Sequence, residues 1–280
     1  MNTKKAMLAV FISLSLFLTA CKDTFRQTES TAATDASFPA PMQTEASAAT
    51  LSEEPSVDEE VHTETTLAPE TESAHSPLYI DGLDVSQMIR YFNEVCLDAE
   101  IENSGDASVL QKWIEPIHYT INGSPTEEDL AVLNAFTAWL NTIEGFPGIY
   151  ETQNLQEANL EIHFCTQQDL LMLMGDSFTD LDGAVTFWYE DDVIYNATIC
   201  CRTDLSQSLR NSVILEELYN GLGPIQDTSL RPDSIIYNDY SEPQSLTAVD
   251  ELILKLLYHP QLMCGMGAEE CEEVIRRLYY

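Results

Sequence analysis

From residue 22 to residue 77 the chain is built from Ser, Thr, Ala, Glu and Pro, with almost no aromatic side chains. Such a segment cannot bury enough apolar surface to offset the entropy of ordering it. Its acidic residues, among them Glu53, Glu54, Asp58, Glu59 and Glu60, repel one another and extend it. A disordered acidic linker, acting as a stalk, is expected there. The folded unit is then confined to residues 78–280, whose 203 residues are ample for one hydrophobic core. The whole chain sets 12 Lys and Arg against 47 Asp and Glu, a net charge of −35. The acidity is not confined to the linker, because 35 acidic and 8 basic residues leave 78–280 near −27. A surface of that sign repels phosphate backbones, so no nucleic-acid partner is expected. No apolar run in 78–280 approaches the 18 or so residues of a bilayer span.

Lys4 and Lys5 precede an apolar run from Ala6 to Leu18, which is the anatomy of an export signal. The run ends in Leu18-Thr19-Ala20-Cys21. This resembles the bacterial lipobox, in which the signal is cut before a cysteine that receives lipid. The resemblance implies a signal peptide over residues 1–21 and lipid attachment at Cys21. Several acyl chains on one residue satisfy the requirement for stable anchoring. The mature protein is expected on the extracytoplasmic face of the cell membrane, with the membrane as its first partner.

Six further cysteines follow: Cys96, Cys165, Cys200, Cys201, Cys264 and Cys271. An even number outside the cytoplasm permits three disulfides. The absence of any C-x-x-C pair removes the zinc-finger and thioredoxin readings. Adjacent Cys200 and Cys201 point to opposite faces of a strand, so they need different partners.

Residues 84–97 carry apolar side chains at helical spacing after a polar start. Residues 113–121 read as a strand ending at Asn122-Gly123. Thr126 or Ser124 caps a helix whose stripe is Leu130, Leu133, Phe136, Trp139 and Leu140, stopped by Gly145 and Pro147. A weak strand at 149–154, a clearer one at 158–164 and a short helix at 167–174 follow. Residues 184–189 and 193–199 pair as a hairpin across Glu190-Asp191-Asp192. Helices at 206–222, 247–258 and 268–278 complete the chain. The order predicts an α+β fold, a mixed sheet with helices packed on it rather than a strict βαβ alternation.

The long helix carries Glu216-Glu217-Leu218-Tyr219-Asn220-Gly221-Leu222-Gly223, then Gln226. This resembles the H-E-x-x-H-x-x-G-x-x-H signature of metzincin metalloproteases with each histidine replaced. Glu216, Asn220 and Gln226 fall on the ligand positions, Glu217 on the general base and Gly223 on the glycine of the sharp turn. Asp233 to Tyr237 resembles the turn below the metal, with Ile236 where the family keeps Met. Leu246 to Asp250 and Leu256 to Tyr258 resemble the final helix of the matrixin branch, and Asn159 to Phe164 its central strand. The likeness spans roughly 113–258 and implies that 78–280 is a degenerate zincin-like domain with an N-terminal helical extension, its sheet mixed and mostly parallel with an antiparallel edge hairpin. The chain is also similar to a family of bacterial lipoproteins with a Glu-Glu helix, an L-T-x-x-D motif and a C-terminal Gly-Met, here Gly265-Met266. The resemblance further implies that strand 158–164 lies parallel to strand 193–199, bringing Cys165 near Cys200 or Cys201 for one bridge.

Glu216, Asn220 and Gln226 offer oxygen only, whereas zinc sites are built on imidazole and thiolate. No zinc and no cofactor are therefore expected, and without a metal Glu217 has no activated water to deprotonate. His62 and His75 lie in the linker, and His118 and His163 sit in strands, where meeting across the sheet is the only route to a shared site. There is no G-x-S-x-G elbow and no Gly-rich phosphate loop. Two function classes remain. One is a non-catalytic, degenerate peptidase domain that binds a peptide or protein by strand addition in the old substrate cleft. The other is a peptidase-like hydrolase that uses Glu217 with a non-classical metal site.

Overall fold

A computed structural model of the chain describes residues 7–11, 78–97, 109–223, 226–239 and 241–279. Cys21, the linker 22–77 and its two histidines lie outside the described residues. Seven strands form one sheet: β1 Met7–Phe11, β2 Lys112–Trp113, β3 Ile117–Gly123, β4 Ile149–Glu151, β5 Leu160–Cys165, β6 Gly183–Glu190 and β7 Val193–Arg202. The order across the sheet is β1-β6-β7-β5-β3-β4, with β2 beside the start of β7. β3 is parallel to β4 and β5, and β7 is parallel to β5 and β2. Only β6 with its two neighbours β7 and β1 is antiparallel. The fold is thus mixed α/β with a mostly parallel sheet. Among the described residues it carries six α-helices: α1 Val85–Leu97, α2 Glu127–Leu140, α3 Gln167–Met174, α4 Gln207–Asn220, α5 Ala248–Leu257 and α6 Ala268–Leu278.

The expected strand at 113–121 is broken in two. Pro116 has no N–H to offer a ladder, and the gap around it is closed by Asn159. The Asn159 side chain donates to Pro116 O at 3.0 Å and accepts from His118 N at 2.7 Å. The hairpin β6–β7 turns on Asp191 and Asp192, with φ of 51° and 63°. Left-handed values at both central residues are what a tight two-residue hairpin loop demands, and Asp tolerates them better than most side chains.

Alternation along the strands divides the interior. Val185, Phe187, Ile199 and Cys201 join the main core with Phe92, Leu133, Leu218, Ile253 and Ile275. Ala184, Cys165 and Cys200 face the other way, into a small cluster with Leu170 of α3, Phe178 and Leu181. α2 begins with Thr126 as cap, whose Oγ1 accepts from Asp129 N while Asp129 Oδ2 accepts from Thr126 N. Asp129 does a second job. It is fully buried, and Gln207 Nε2 (2.7 Å), Arg210 Nε (3.1 Å) and Arg210 Nη2 all donate to it. One carboxylate therefore caps α2 and locks it to α4.

All six described cysteines are free thiols, so the expected disulfides are not formed. The parallel pairing of β5 and β7 does bring Cys165 close to Cys200, and both lie in the same small cluster. Cys201, one residue on, is in the opposite cluster and out of reach. Cys96 and Cys271 are buried near each other between α1 and α6.

Candidate functional site

α4 is capped by Ser206 and crosses the main-core face of the sheet. Its last turn fits closely because Gly221 has no side chain. A Cβ there would stand 3.3 Å from Ile199 Cδ1 and 3.4 Å from Val185 Cγ2. The end of the helix is then held by long-range bonds: Trp113 Nε1 donates to Gly221 O (2.9 Å), and Tyr258 OH donates to Leu222 O (2.7 Å). Gly223 has φ +125°, and a Cβ on it would lie 2.7 Å from Gln111 O. The chain turns sharply at that glycine, and no other residue fits.

The positions singled out on this helix have different surroundings. Glu216 is half-buried, Glu217 is 2 % exposed and Asn220 is 4 % exposed, while Gln226 sits half-buried past the turn. Glu217 points into the start of β6. A Cβ on Gly183 would meet Glu217 Oε1 at 2.6 Å and Val213 Cγ1 at 2.6 Å, so the carboxyl occupies the space a side chain would need. Glu217 Oε1 and Asn220 Oδ1, one helical turn apart, are buried without a hydrogen-bond partner. Asp182 adds a third such oxygen. Its Oδ1 accepts from Arg202 Nη1 at 3.1 Å, and its buried Oδ2 has no partner.

Burial, then the negative charges of Glu216, Asp227 and Asp182, push the Glu217 carboxyl well above the usual carboxylate range. Burial also raises Asp182, against the pull of Arg202. Such a shift favours the protonated form of Glu217, which can donate a hydrogen bond, over the charged form that a base requires. Among the described residues no group of three or more His, Cys, Asp and Glu side chains is placed to hold a metal ion.

The histidines do not reach this place. His163 lies opposite Asn122 in the β3–β5 register, four residues along from His118, or about 13 Å at the usual rise of a strand. The two rings therefore do not meet. His163 Nε2 is 3.0 Å from Glu161 Oε2, and His163 shares the α3 face of the sheet with Cys165 rather than the α4 face. Below α4 the segment 228–238 folds back on itself through a Thr228–Tyr237 bridge. It is pinned by Asp250, which accepts from Ser234 Oγ (2.6 Å) and Ile235 N (3.4 Å) while capping α5 with Thr247.

A cavity of about 450 Å³ opens elsewhere, between α2, α4 and the start of α5, with Val132, Phe136, Trp139, Leu215 and Leu246 on its walls. Glu217 follows Leu215 by two residues, about 200° around the helix, so it leaves α4 on the opposite side. Sequence spacing missed both this cavity and the Asp182–Gly183 partners of Glu217. The one signal for the latter was an Asp-Gly step directly before an apolar strand.

The fold and the end of α4 together define a mixed α/β domain with a buried carboxyl wedged between a helix and the glycine that opens β6. The chain belongs to the family described as Protein of unknown function (DUF2927), whose model matches residues 85–277. No curated protein matches it.

Proposed function

We propose that this protein is a lipid-anchored extracytoplasmic lipoprotein, attached through Cys21, whose domain binds an extended peptide and does not cleave it. The scaffold is read as a degenerate metzincin-like one. The sheet order β6-β7-β5-β3-β4 with antiparallel β6 supports that reading, as do the left-handed turn at Gly223 and the buried turn at Ile236. The carrying observation is at β6. Its outer edge takes the five-residue strand β1 in antiparallel register, from Met7 opposite Tyr189 to Phe11 opposite Val185. That strand lies inside the signal segment, so removal of the signal leaves the β6 edge open to a peptide of like character.

The test uses the chain from residue 22 onward and a labelled peptide of residues 5–13. Saturable binding is expected, abolished by N-methylation of one alternate set of peptide residues and spared by methylation of the other, because only one set faces the edge. Equal binding of both sets and of a scrambled peptide would sink strand addition. Mass spectrometry of the same mixtures would reveal a cut peptide, the outcome expected of a hydrolase using Glu217.

A further inference from the structure

Among the described residues five of the six thiols are buried, with Cys264 half-buried, and the five are not equivalent. Cys96 and Cys271 sit between α1 and α6; burial pushes the first well up and the second up to about 11. Cys201 is likewise buried in the main core, and its thiol is raised. Cys165 and Cys200 differ in place. They share the small cluster under α3, on the sheet face away from α4, and Cys165 is the last residue of β5. The two sulfurs share this cluster, and the neighbouring Cys200 thiol holds the Cys165 thiol below its ordinary range. Cys165 also keeps slight access to solvent, at 8 % exposure, whereas Cys200 has none.

We infer that Cys165 and Cys200 form a reversible dithiol–disulfide site, with Cys165 as attacking and Cys200 as resolving sulfur, whose substrate is an external disulfide. Cys165 as thiolate attacks one sulfur of that disulfide. The external S–S bond breaks, and one thiolate leaves and takes up the proton Cys165 gave away. Cys200 then loses its proton and attacks the Cys165 sulfur of the mixed disulfide, and the second thiolate leaves with that proton. Two electrons pass from the cysteine pair to the external disulfide, which ends as two thiols.

Register explains the reversibility. Cys165 lies opposite Arg202, and Cys200 lies opposite His163, so the two are diagonal neighbours on one face. Diagonal positions stand further apart than the Cα span a relaxed disulfide prefers, and the bond must draw the end of β5 towards β7. Beyond its pairing with β7, that end is held by Thr203 N and Oγ1, which donate to Cys165 O at 2.8 and 3.2 Å. A bond closed under such tension is readily reopened by thiols.

The experiment treats the full chain with 2-hydroxyethyl disulfide, then blocks remaining thiols by alkylation and maps the peptides. Loss of alkylation at both Cys165 and Cys200, with a peptide linking them, is expected, and dithiothreitol should restore both. In the Cys200→Ala variant the mercaptoethanol adduct should persist at Cys165. In Cys201→Ser the bridge should form as in the wild type. Circular dichroism of each variant confirms that it is folded. Full alkylation of both cysteines in folded wild type would overturn the site, as would a bridge that survives Cys200→Ala or is lost in Cys201→Ser.

Discussion

Two buried carboxyls sit against the same helix and are treated in opposite ways. Asp129 is enclosed by donors, with Gln207 and Arg210 of α4 turned onto both its oxygens and the Thr126 N–H at its own helix start completing the set. Glu217, ten residues further along α4 than Gln207, is as deeply buried but has an oxygen with no donor, a neighbouring Asn220 oxygen in the same condition, and like charges nearby. The first arrangement joins two helices. The second stabilises nothing in its ionised form and tolerates burial only by keeping its proton. Buried polar groups without protein partners are rare, and oxygens of Glu217, Asn220 and Asp182 fall in this class.

The contrast can be broken from either side. Arg210→Ala removes the cation while Asp129 stays buried, and a loss of about 3–5 kcal/mol is expected in urea unfolding. A loss under 1 kcal/mol would mean that Asp129 is satisfied without its ion pair. Gly183→Ala drives a methyl into the space of Glu217 Oε1 and Val213, and the cost of overpacking is about 1–3 kcal/mol. In Gly183→Ala with Glu217→Ala the cost of the added methyl should largely disappear, and an unchanged cost would show that Glu217 is not what Gly183 accommodates. Glu217→Gln tests the proton itself. Because the folded state holds that proton more tightly than the unfolded chain, its contribution is complete below the unfolded value near 4.3 and is lost as pH rises through the raised folded value. The variant should therefore match the wild type in acid to within about 1 kcal/mol and exceed it increasingly towards alkaline pH. Parallel stability curves would refute the neutral acid. The smallest effect is expected from chelator. With oxygen donors alone at Glu216, Asn220 and Gln226, the melting temperature should not move, and a fall would show that a metal contributes to folding.

Much of this was legible in the residues and some was not. The helix at 167–174 was readable to its last residue, because a Thr cap, an Asp three residues later and a closing Gly175 are all local signals. The hairpin, α2 and α4 were readable for the same reason. The strand at 113–121 was read as continuous, and its break depends on Asn159, about forty residues away. Spacing on α4 placed Glu216, Glu217 and Asn220 on one turn, but whether a carboxyl there meets solvent or a sheet is decided by where β6 begins. Cys165 and Cys200 were brought together by strand order, while the exclusion of Cys201 follows from the face it occupies and the diagonal offset of the other two from the register. The apolar run at the N-terminus was read only as an address, and its pairing with β6 had no local sign.

Asp250 ties its own helix cap to the buried turn at Ser234 and Ile235, and Ser234 in turn accepts from Tyr91 OH at 3.0 Å. Neither α5 nor the segment before it can open without breaking bonds to the other, and α1 is drawn into the same event. In native-state hydrogen exchange the amides of Ile235, Asp250 and the middle of α5 should therefore share one opening free energy, and residues 228–257 should come apart as a single foldon rather than fray element by element.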